Sequence, residues 1–315
     1  PAAPGSAPFI PVQAAVVVPP VSIAVSPSAG IVPLQQASFP VTASVQAEDH
    51  IPTPADVTLS LPDGKTIART SQPATTAPGA ETATFSVPTA DIPTHPITLT
   101  AAASRADQEY REGFRPAGYP GLTYTNFYSP ATYRATAVDV HIAPHLNIAY
   151  LPGTGDSVPA ALEDLGIHVH LLTVADLTPQ TLKPFDVLIL GVRSYGAHPN
   201  LAAANPILNA YAAAGGVVID QYDTGRLPEG TGPYPLSLGD SETVVDETAP
   251  IRILAPSNPL LTWPNHITSA DFNGWFEERG HGFMGTWDPH YIALTETHDP
   301  GQKPQLGGLL VARTG

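Results

Sequence analysis

The 315-residue sequence contains no cysteine, which excludes disulfide bonds, thiolate metal sites and cysteine nucleophiles. It has only three lysines and no run of basic residues, so a polybasic membrane-binding patch is excluded as well. No apolar run approaches the roughly 20 residues that a membrane-spanning helix needs, and membrane insertion is not expected. The sequence begins at Pro1 without an initiator methionine, so we expect a processed or excerpted piece from which any signal peptide is already gone.

Basic residues are scarce relative to acidic ones, at 13 against 28, and the formal net charge is −15. A surface of this sign repels a phosphate backbone, so nucleic acid is not expected as a partner. What the sequence has in excess is proline, with 37 residues. Most of them lie before position 130 or after position 225, where they suit turns and edge strands.

The first part of the chain shows strand periodicity without helical periodicity. Residues 1–12 are interpreted as a Pro/Ala linker, and residues 13–115 contain short runs of alternating polarity separated by turn residues. Strands are predicted at 21–25, 39–45, 56–61, 82–87, 97–101 and 109–114. This spacing predicts an antiparallel, immunoglobulin-like β-sandwich. Residues 116–132 are interpreted as an ordered connector, and 133–142 as a further strand that could pair with either domain.

After residue 145 the pattern changes to alternating strands and helices. Strands are predicted at 146–151, 167–172, 186–191 and 217–220, with helices ending at Leu165 and spanning 200–214. The strands are almost continuously apolar, which is typical of a parallel sheet covered on both faces. We assign residues 133–315 to this α/β domain.

Several motifs of the second part occur in an order that resembles a known family. They are 149–162 (AYLPGTGDSVPAAL), 186–195 (DVLILGVRSY), 215–222 (GGVVIDQY), 271–279 (DFNGWFEER) and 306–313 (LGGLLVAR). Together they resemble the C-terminal region of large bacterial PIG-L/LmbE-family deacetylase-like proteins. In that region a flavodoxin-like, class I glutamine amidotransferase-like module follows a sandwich. The resemblance covers about 135–315 well and the sandwich only loosely.

The resemblance implies an exported parent protein, periplasmic or extracellular, whose N-terminal domain uses zinc to remove an N-acetyl group from a sugar. The signature of that domain, Ala-His-Pro-Asp-Asp, is absent from this chain, so no cofactor is expected here and zinc belongs to the absent domain. Ala197-His198-Pro199-Asn200 matches only its beginning, and we interpret it as a loop that caps the next helix through Asn200. The family's module also continues beyond Gly315 with a further strand and helix, so a C-terminal truncation is expected.

No catalytic residue and no metal ligand is predicted. A class I amidotransferase needs a cysteine nucleophile, and the spacing around Ser194 does not match the G-x-S-x-G turn that presents a serine. The loop Gly153-Thr154-Gly155 lacks the third glycine of a dinucleotide-binding loop, although Asp176 stands where a ribose partner would. We favour a tight turn in which Asp156 or Ser157 caps the following helix. The histidine pairs 141/145 and 168/170 lack further ligands at matching spacing.

Two groups of residues are candidates for ligand binding. Helical spacing would place Asp271, Trp275, Glu278 and Arg279 on one face, where tryptophan can stack on a sugar ring and charged groups can bind its hydroxyls. A structural ion pair beside the tryptophans is the alternative. The second group follows strand ends, where parallel sheets bind ligands, and comprises Asp156, Arg193, Tyr195, Asp220 and Tyr222. If the Trp275 helix folds over that edge, one pocket results.

Three function classes remain open from the sequence. The first is a non-catalytic accessory module that binds carbohydrate or cell-envelope glycan. The second is a hydrolase that works with carboxylates such as Glu277, Glu278 and Asp288. The third is a structural surface protein that self-associates through unpaired strand edges.

Overall fold

The computed structural model describes residues 17–49, 51, 54–73, 81–118, 125–239, 243–275 and 279–315. The chain divides into two compact units, Pro1–Asp139 and Val140–Gly315. The predicted linker at 1–12 lies outside the described residues.

The first unit is a β-sandwich built from eleven described strands. They are β1 (Val21–Val25), β2 (Ala29–Pro33), β3 (Ser38–Ala47), β4 (Pro54–Ser60), β5 (Thr66–Pro73), β6 (Glu81–Pro88), β7 (Ile97–Arg105), β8 (Gln108–Tyr110), β9 (Glu112–Ala117), β10 (Thr125–Pro130) and β11 (Thr132–Val138). One sheet has the order β1-β3-β6 and the other β2-β11-β7-β4-β5, with β8 paired to β7 and a separate β9–β10 pair. Alternate residues of both sheets, such as Val41 on β3 and Leu59 on β4, pack into one core.

The structure of this unit differs from the sequence prediction in two respects. β11 pairs with β7 and also, in parallel, with β2, so the sandwich is not purely antiparallel and extends to Asp139 rather than ending at 115. Part of the predicted connector forms strands β9 and β10. Alternating polarity reveals a strand but carries no information about which sheet it joins, and Tyr133 and Ala135 turn out to be buried in the sandwich core.

The second unit contains a four-stranded parallel sheet. Its strands are β12 (Ile148–Leu151), β13 (Val169–Leu171), β14 (Val187–Leu190) and β15 (Val217–Asp220), in the order β13-β12-β14-β15. Helices α1 (Val158–Asp164), α2 (Pro179–Leu182), α3 (Ser194–Ala197) and α4 (Asn205–Ala213) connect or follow these strands, with short 3-10 turns at Val174–Asp176 and Leu201–Ala204. The predicted parallel sheet is confirmed.

Both faces of the central strands β12 and β14 are covered, which explains their continuously apolar sequences, whereas Leu171 on β13 and Val217 and Ile219 on β15 stay exposed. On one face Leu151 and Leu190 pack against Leu182 and Leu208 from α2 and α4. On the other face Tyr150 and Ile189 pack against residues that include Leu162 of α1. Successive strand residues point to opposite faces, so a strand buried on both sides needs apolar side chains at every position.

Beyond β15 the second unit consists of short antiparallel pairs rather than further parallel strands. They are formed by β16 (Leu236–Leu238) with β20 (Met284–Trp287), β17 (Thr243–Val244) with β19 (Gly280–His281), β18 (Arg252–Ile253) with β22 (Thr295–Glu296), and β21 (Ile292–Ala293) with β23 (Leu310–Val311). Helix α5 (Pro259–Thr262) and a 3-10 turn at Ser269–Phe272 lie among them. No helix in the described part of the chain is both long and apolar enough to cross a membrane.

Candidate ligand site at the carboxyl edge of the parallel sheet

The loop after β12 is held by a hydrogen-bond network centred on Tyr150. The buried Tyr150 hydroxyl donates to the Asp156 carboxylate, with 2.7 Å to either oxygen, and accepts from Nε2 of Gln221 at 2.9 Å. Burial, and then the bond to Asp156, raise the pKa of Tyr150 above its ordinary range. Asp156 Oδ1 also accepts the backbone N–H of Val158 at 3.0 Å, so Asp156 caps α1, and the Ser157 side chain makes no cap bond.

Two loops meet backbone to backbone at the carboxyl ends of β12 and β14. The Thr154 N–H donates to the Val192 carbonyl at 2.8 Å. A Cβ on Gly153 would lie 1.9 Å from that same carbonyl oxygen, and one on Gly191 would lie 2.7 Å from the Gly153 nitrogen. This close approach, together with φ of 104° at Gly155, fits the interpretation of Gly153-Thr154-Gly155 as a tight turn.

Arg193 occupies the sharp turn between β14 and α3. Its backbone is left-handed, with φ 56° and ψ 38°, a conformation that costs a non-glycine residue about 1–2 kcal/mol. Its N–H donates to the Tyr222 carbonyl at 2.7 Å, and its guanidinium lies 5.4 Å from the centre of the Tyr222 ring. The side chain is exposed, so the turn presents a guanidinium at the carboxyl edge of the sheet.

The two residues that follow Arg193 are turned inward. Ser194 is fully buried and its Oγ donates to the Gly191 carbonyl at 2.5 Å. The Tyr195 hydroxyl donates to Oδ1 of Asn205 at 2.7 Å, which ties the turn to α4. Burial, followed by the charge of Asp220, raises the pKa of Tyr195. Tyr195 was predicted as a ligand-binding residue, but its hydroxyl forms an internal hydrogen bond.

Asp220, at the end of β15, and Asp223, three residues later, form an acidic pair. Desolvation and then the charge of Asp223 raise the pKa of Asp220 to about 7, although its crowded side chain still reaches solvent. Asp223 is only 4% exposed, and neither carboxylate oxygen has a hydrogen-bond partner among the described residues. Burial raises the pKa of Asp223, and the N–H groups of Tyr195 and Thr224 oppose that rise without reaching hydrogen-bond geometry.

Tyr222 also contacts the segment that contains β19. The His281 ring stands edge-on to the Tyr222 ring, with 5.7 Å between their centres. A Cβ on Gly282 would lie 2.8 Å from the Tyr222 ring, so the chain passes close to the edge here. The sequence analysis had left open whether the Trp275 segment folds over this edge, and neither His281 nor Asp223 was predicted.

The predicted helix through Asp271, Trp275, Glu278 and Arg279 is wrong in the described residues. The 3-10 turn Ser269–Phe272 ends at Asn273, and Gly274 has φ of 77°, which breaks any helical face. Asp271 caps this turn by accepting the Thr268 N–H at 2.6 Å, a bond that lowers the pKa of Asp271.

The other members of that predicted group are likewise separated. The half-exposed Trp275 packs against Phe272, with 5.2 Å between ring centres. Arg279 is buried, and its N–H donates to the Val244 carbonyl at 2.7 Å. Glu278 lies outside the described residues.

The histidines make local contacts. His168 lies 3.3 Å from Glu163 Oε1 and packs edge-on against His170, and Nε2 of His198 is 2.6 Å from the Pro152 carbonyl oxygen. Asn200 begins the turn Leu201–Ala204 without a side-chain cap bond, which corrects the capping prediction. Where the structure describes the chain, no three histidine or carboxylate groups are close enough to hold a metal ion.

No model of a known protein family matches the chain, and no curated protein matches it. Among solved structures it is similar to the apo-form Calx CBD1 domain, at 15% identity over 38% of this chain and 98% of that chain, with a TM-score of 0.20. It is similar to a Paenibacillus sp. cycloisomaltooligosaccharide glucanotransferase complexed with cycloisomaltoheptaose, at 12% identity over 70% of this chain and 28% of that chain, with a TM-score of 0.22. A glycosyl hydrolase family 2 member from Bacteroides cellulosilyticus aligns at 7% identity over 67% of this chain and 35% of that chain, with a TM-score of 0.21. Alignments with TM-scores this low do not define a shared fold.

Proposed function

We propose that this chain is a non-catalytic accessory region of an exported PIG-L/LmbE-type deacetylase-like protein, and that its second unit binds carbohydrate, such as a cell-envelope glycan. The observation that carries the proposal is the turn after β14. Enzymes of the α/β-hydrolase type present their nucleophile on a strained turn from a strand into a helix. Here that turn bears the exposed guanidinium of Arg193, and the neighbouring Ser194 hydroxyl is buried against Gly191.

The strand order supports a flavodoxin-like, amidotransferase-like sheet. Counted along the chain, the four parallel strands lie in the order 2-1-3-4, which is the order of the first four strands in flavodoxin-like sheets. Such sheets bind ligands outside the strand ends at the point where the winding reverses. That point lies between β12 and β14, and the loops that leave these two strands contain Gly153 and Arg193.

The exposed groups at this edge suit a ligand rich in hydroxyls. Arg193 supplies donors, Asp156 and Asp220 supply acceptors that reach solvent, and the half-buried Tyr222 ring, which the Arg193 guanidinium covers in part, supplies an apolar surface beside them. Sugars are recognised by this combination of aromatic faces and charge-assisted hydrogen bonds.

Binding of N-acetylated oligosaccharides by ligand-observed NMR tests this proposal. We expect saturation transfer from the whole chain to the sugar, loss of the signal with Arg193→Gly, and no loss with Arg134→Ala, which removes an exposed arginine from the first unit. Glycine accepts the left-handed backbone, so the variant keeps the turn. Equal binding by the Arg193→Gly variant, or release of acetate that depends on the chain, would overturn the proposal.

A carboxylate-based hydrolase is the second candidate function, and Asp220 favours it. A carboxyl group with a pKa of about 7 can donate or accept a proton near neutral pH. If the chain cleaves glycosidic bonds, the rate should fall at least about 100-fold in Asp220→Asn. Absence of sugar release from the same oligosaccharides across pH 5–8 would exclude this candidate for those substrates.

A further inference from the structure

A second candidate site lies in the second unit and shares no residue with the carboxyl edge of the sheet. It is a cavity of about 480 Å³ between the segments around β18 and β22 and the turn Ser269–Phe272. This volume lies within the range of about 300–1,000 Å³ that is typical of small-molecule sites. Its polar lining includes Arg252, Ser269, Asn273, Arg279, Glu296 and His298.

Arg279 is the residue that points to a ligand. It is only 9% exposed, one guanidinium nitrogen donates to the Phe272 carbonyl, and its N–H is held by Val244. Its buried Nε has no hydrogen-bond partner among the described residues. Burying a charged donor without a partner is costly, so an acceptor that approached this guanidinium from the cavity would be stabilised.

The charges around the cavity favour an anion. Among the described residues of its lining Glu296 is the one carboxylate, and it forms an ion pair with Arg252, with 3.0 Å between Arg252 Nε and Glu296 Oε1. The pKa of Asp246 is lowered mainly by hydrogen bonds from Thr248 and to a smaller extent by the charge of Arg279. Its Oδ1 accepts the N–H and hydroxyl of Thr248 at 2.8 and 2.7 Å. Arg279 therefore keeps donors that no carboxylate of the described lining uses.

We propose that this cavity binds a sugar-sized molecule carrying a small oxyanion, a carboxylate or a phosphate. The guanidinium of Arg279 offers such an oxyanion a charge-assisted N–H donor, which binds an anion more strongly than a neutral oxygen. The exposed Ser269 hydroxyl and Asn273 amide lie in the same lining and bind the neutral hydroxyls of the ligand. The site is independent of the proposed glycan site at Arg193.

Titration calorimetry with methyl glucuronide, glucose 6-phosphate and methyl glucoside at physiological salt tests the proposal. We expect at least one of the two anionic sugars to bind and methyl glucoside to bind at least tenfold more weakly or not at all. Which anion binds more tightly distinguishes the carboxylate from the phosphate. Arg279→Lys keeps the positive charge but loses the planar guanidinium and its fixed N–H donors, and should weaken binding about tenfold or more.

Asn273→Ala changes an exposed side chain and should weaken binding about threefold without unfolding the chain. This variant decides the question if Arg279→Lys proves unstable. Arg193→Gly and Arg134→Ala should leave the affinity unchanged, which separates this site from the glycan site. Equal affinity for methyl glucoside, or wild-type affinity in both cavity variants, would overturn the proposal. So would equal weakening by Arg134→Ala, because it would mean non-specific attraction.

Discussion

The left-handed backbone of Arg193 gives a prediction whose size follows from the structure. Arg193→Gly and Arg193→Ala both remove the guanidinium and its contact with Tyr222. The difference in unfolding free energy between the two variants therefore reports the cost of the backbone conformation alone. The left-handed conformation costs an L-residue about 1–2 kcal/mol. Glycine loses about 0.5–1 kcal/mol more conformational entropy than alanine on folding. The glycine variant should therefore be more stable than the alanine variant by about 0.5–1 kcal/mol.

Urea unfolding followed by tryptophan fluorescence is a suitable assay because all three tryptophans lie in the second unit. With an m value of about 2 kcal/mol/M, the midpoints should differ by a few tenths of a molar. Ala210→Gly, at an exposed position of α4, is the control and should lower stability by about 1 kcal/mol. An Arg193→Ala variant as stable as Arg193→Gly would refute the assignment of a strained turn.

Three further predictions concern the same edge. Tyr150→Phe should lower the free energy of unfolding by about 1–2 kcal/mol, and a double-mutant cycle with Asp156→Asn should show coupling, whereas additive effects would mean that the two side chains do not interact. Because the folded-state pKa of Asp220 is raised to about 7, its contribution to stability is full below pH 4 and is lost as pH rises through 7. Asp220→Asn should flatten the pH dependence of stability in this range. If the urea midpoints of the variant fall with pH as steeply as those of the wild type, the raised pKa of Asp220 is contradicted. Gly153→Ala, whose Cβ would lie 1.9 Å from a backbone carbonyl oxygen, should cost about 1–3 kcal/mol, whereas Gly196→Ala, with open space around its Cβ, should be nearly neutral by the same assay.

The strands that the sequence predicted correctly have patterns set by burial alone. β3 alternates because one face meets the sandwich core, and β12 is apolar throughout because it is buried on both of its own faces. Both patterns can be read in one short window of sequence. Strand pairing cannot be read from such a window, which is why β11 was assigned to the wrong unit. The pairs beyond β15 are two to four residues long and join distant segments, such as Leu236 with Trp287, so they leave no periodic signal.

The candidate site was predictable in part. Because parallel strands end at one edge, residues just after β12, β14 and β15 were expected there, and Tyr222 does contact Arg193. The bond from Gln221 to Tyr150 spans 71 positions and has no local signature. The helical spacing of the Asp271–Arg279 group was coincidental, since Asn273-Gly274 stops the turn; this dipeptide was the available signal against a helix.

Mapping of backbone amide shifts during titration with an N-acetylated oligosaccharide shows whether the carboxyl edge of the parallel sheet binds glycan without cleaving it. We expect saturable shifts at the amides of Gly153, Arg193 and Tyr222, loss of those shifts in Arg193→Gly, and an intact sugar with its acetyl groups at the end of the titration. Shifts confined to the sandwich unit, or accumulation of free acetate, would contradict this expectation.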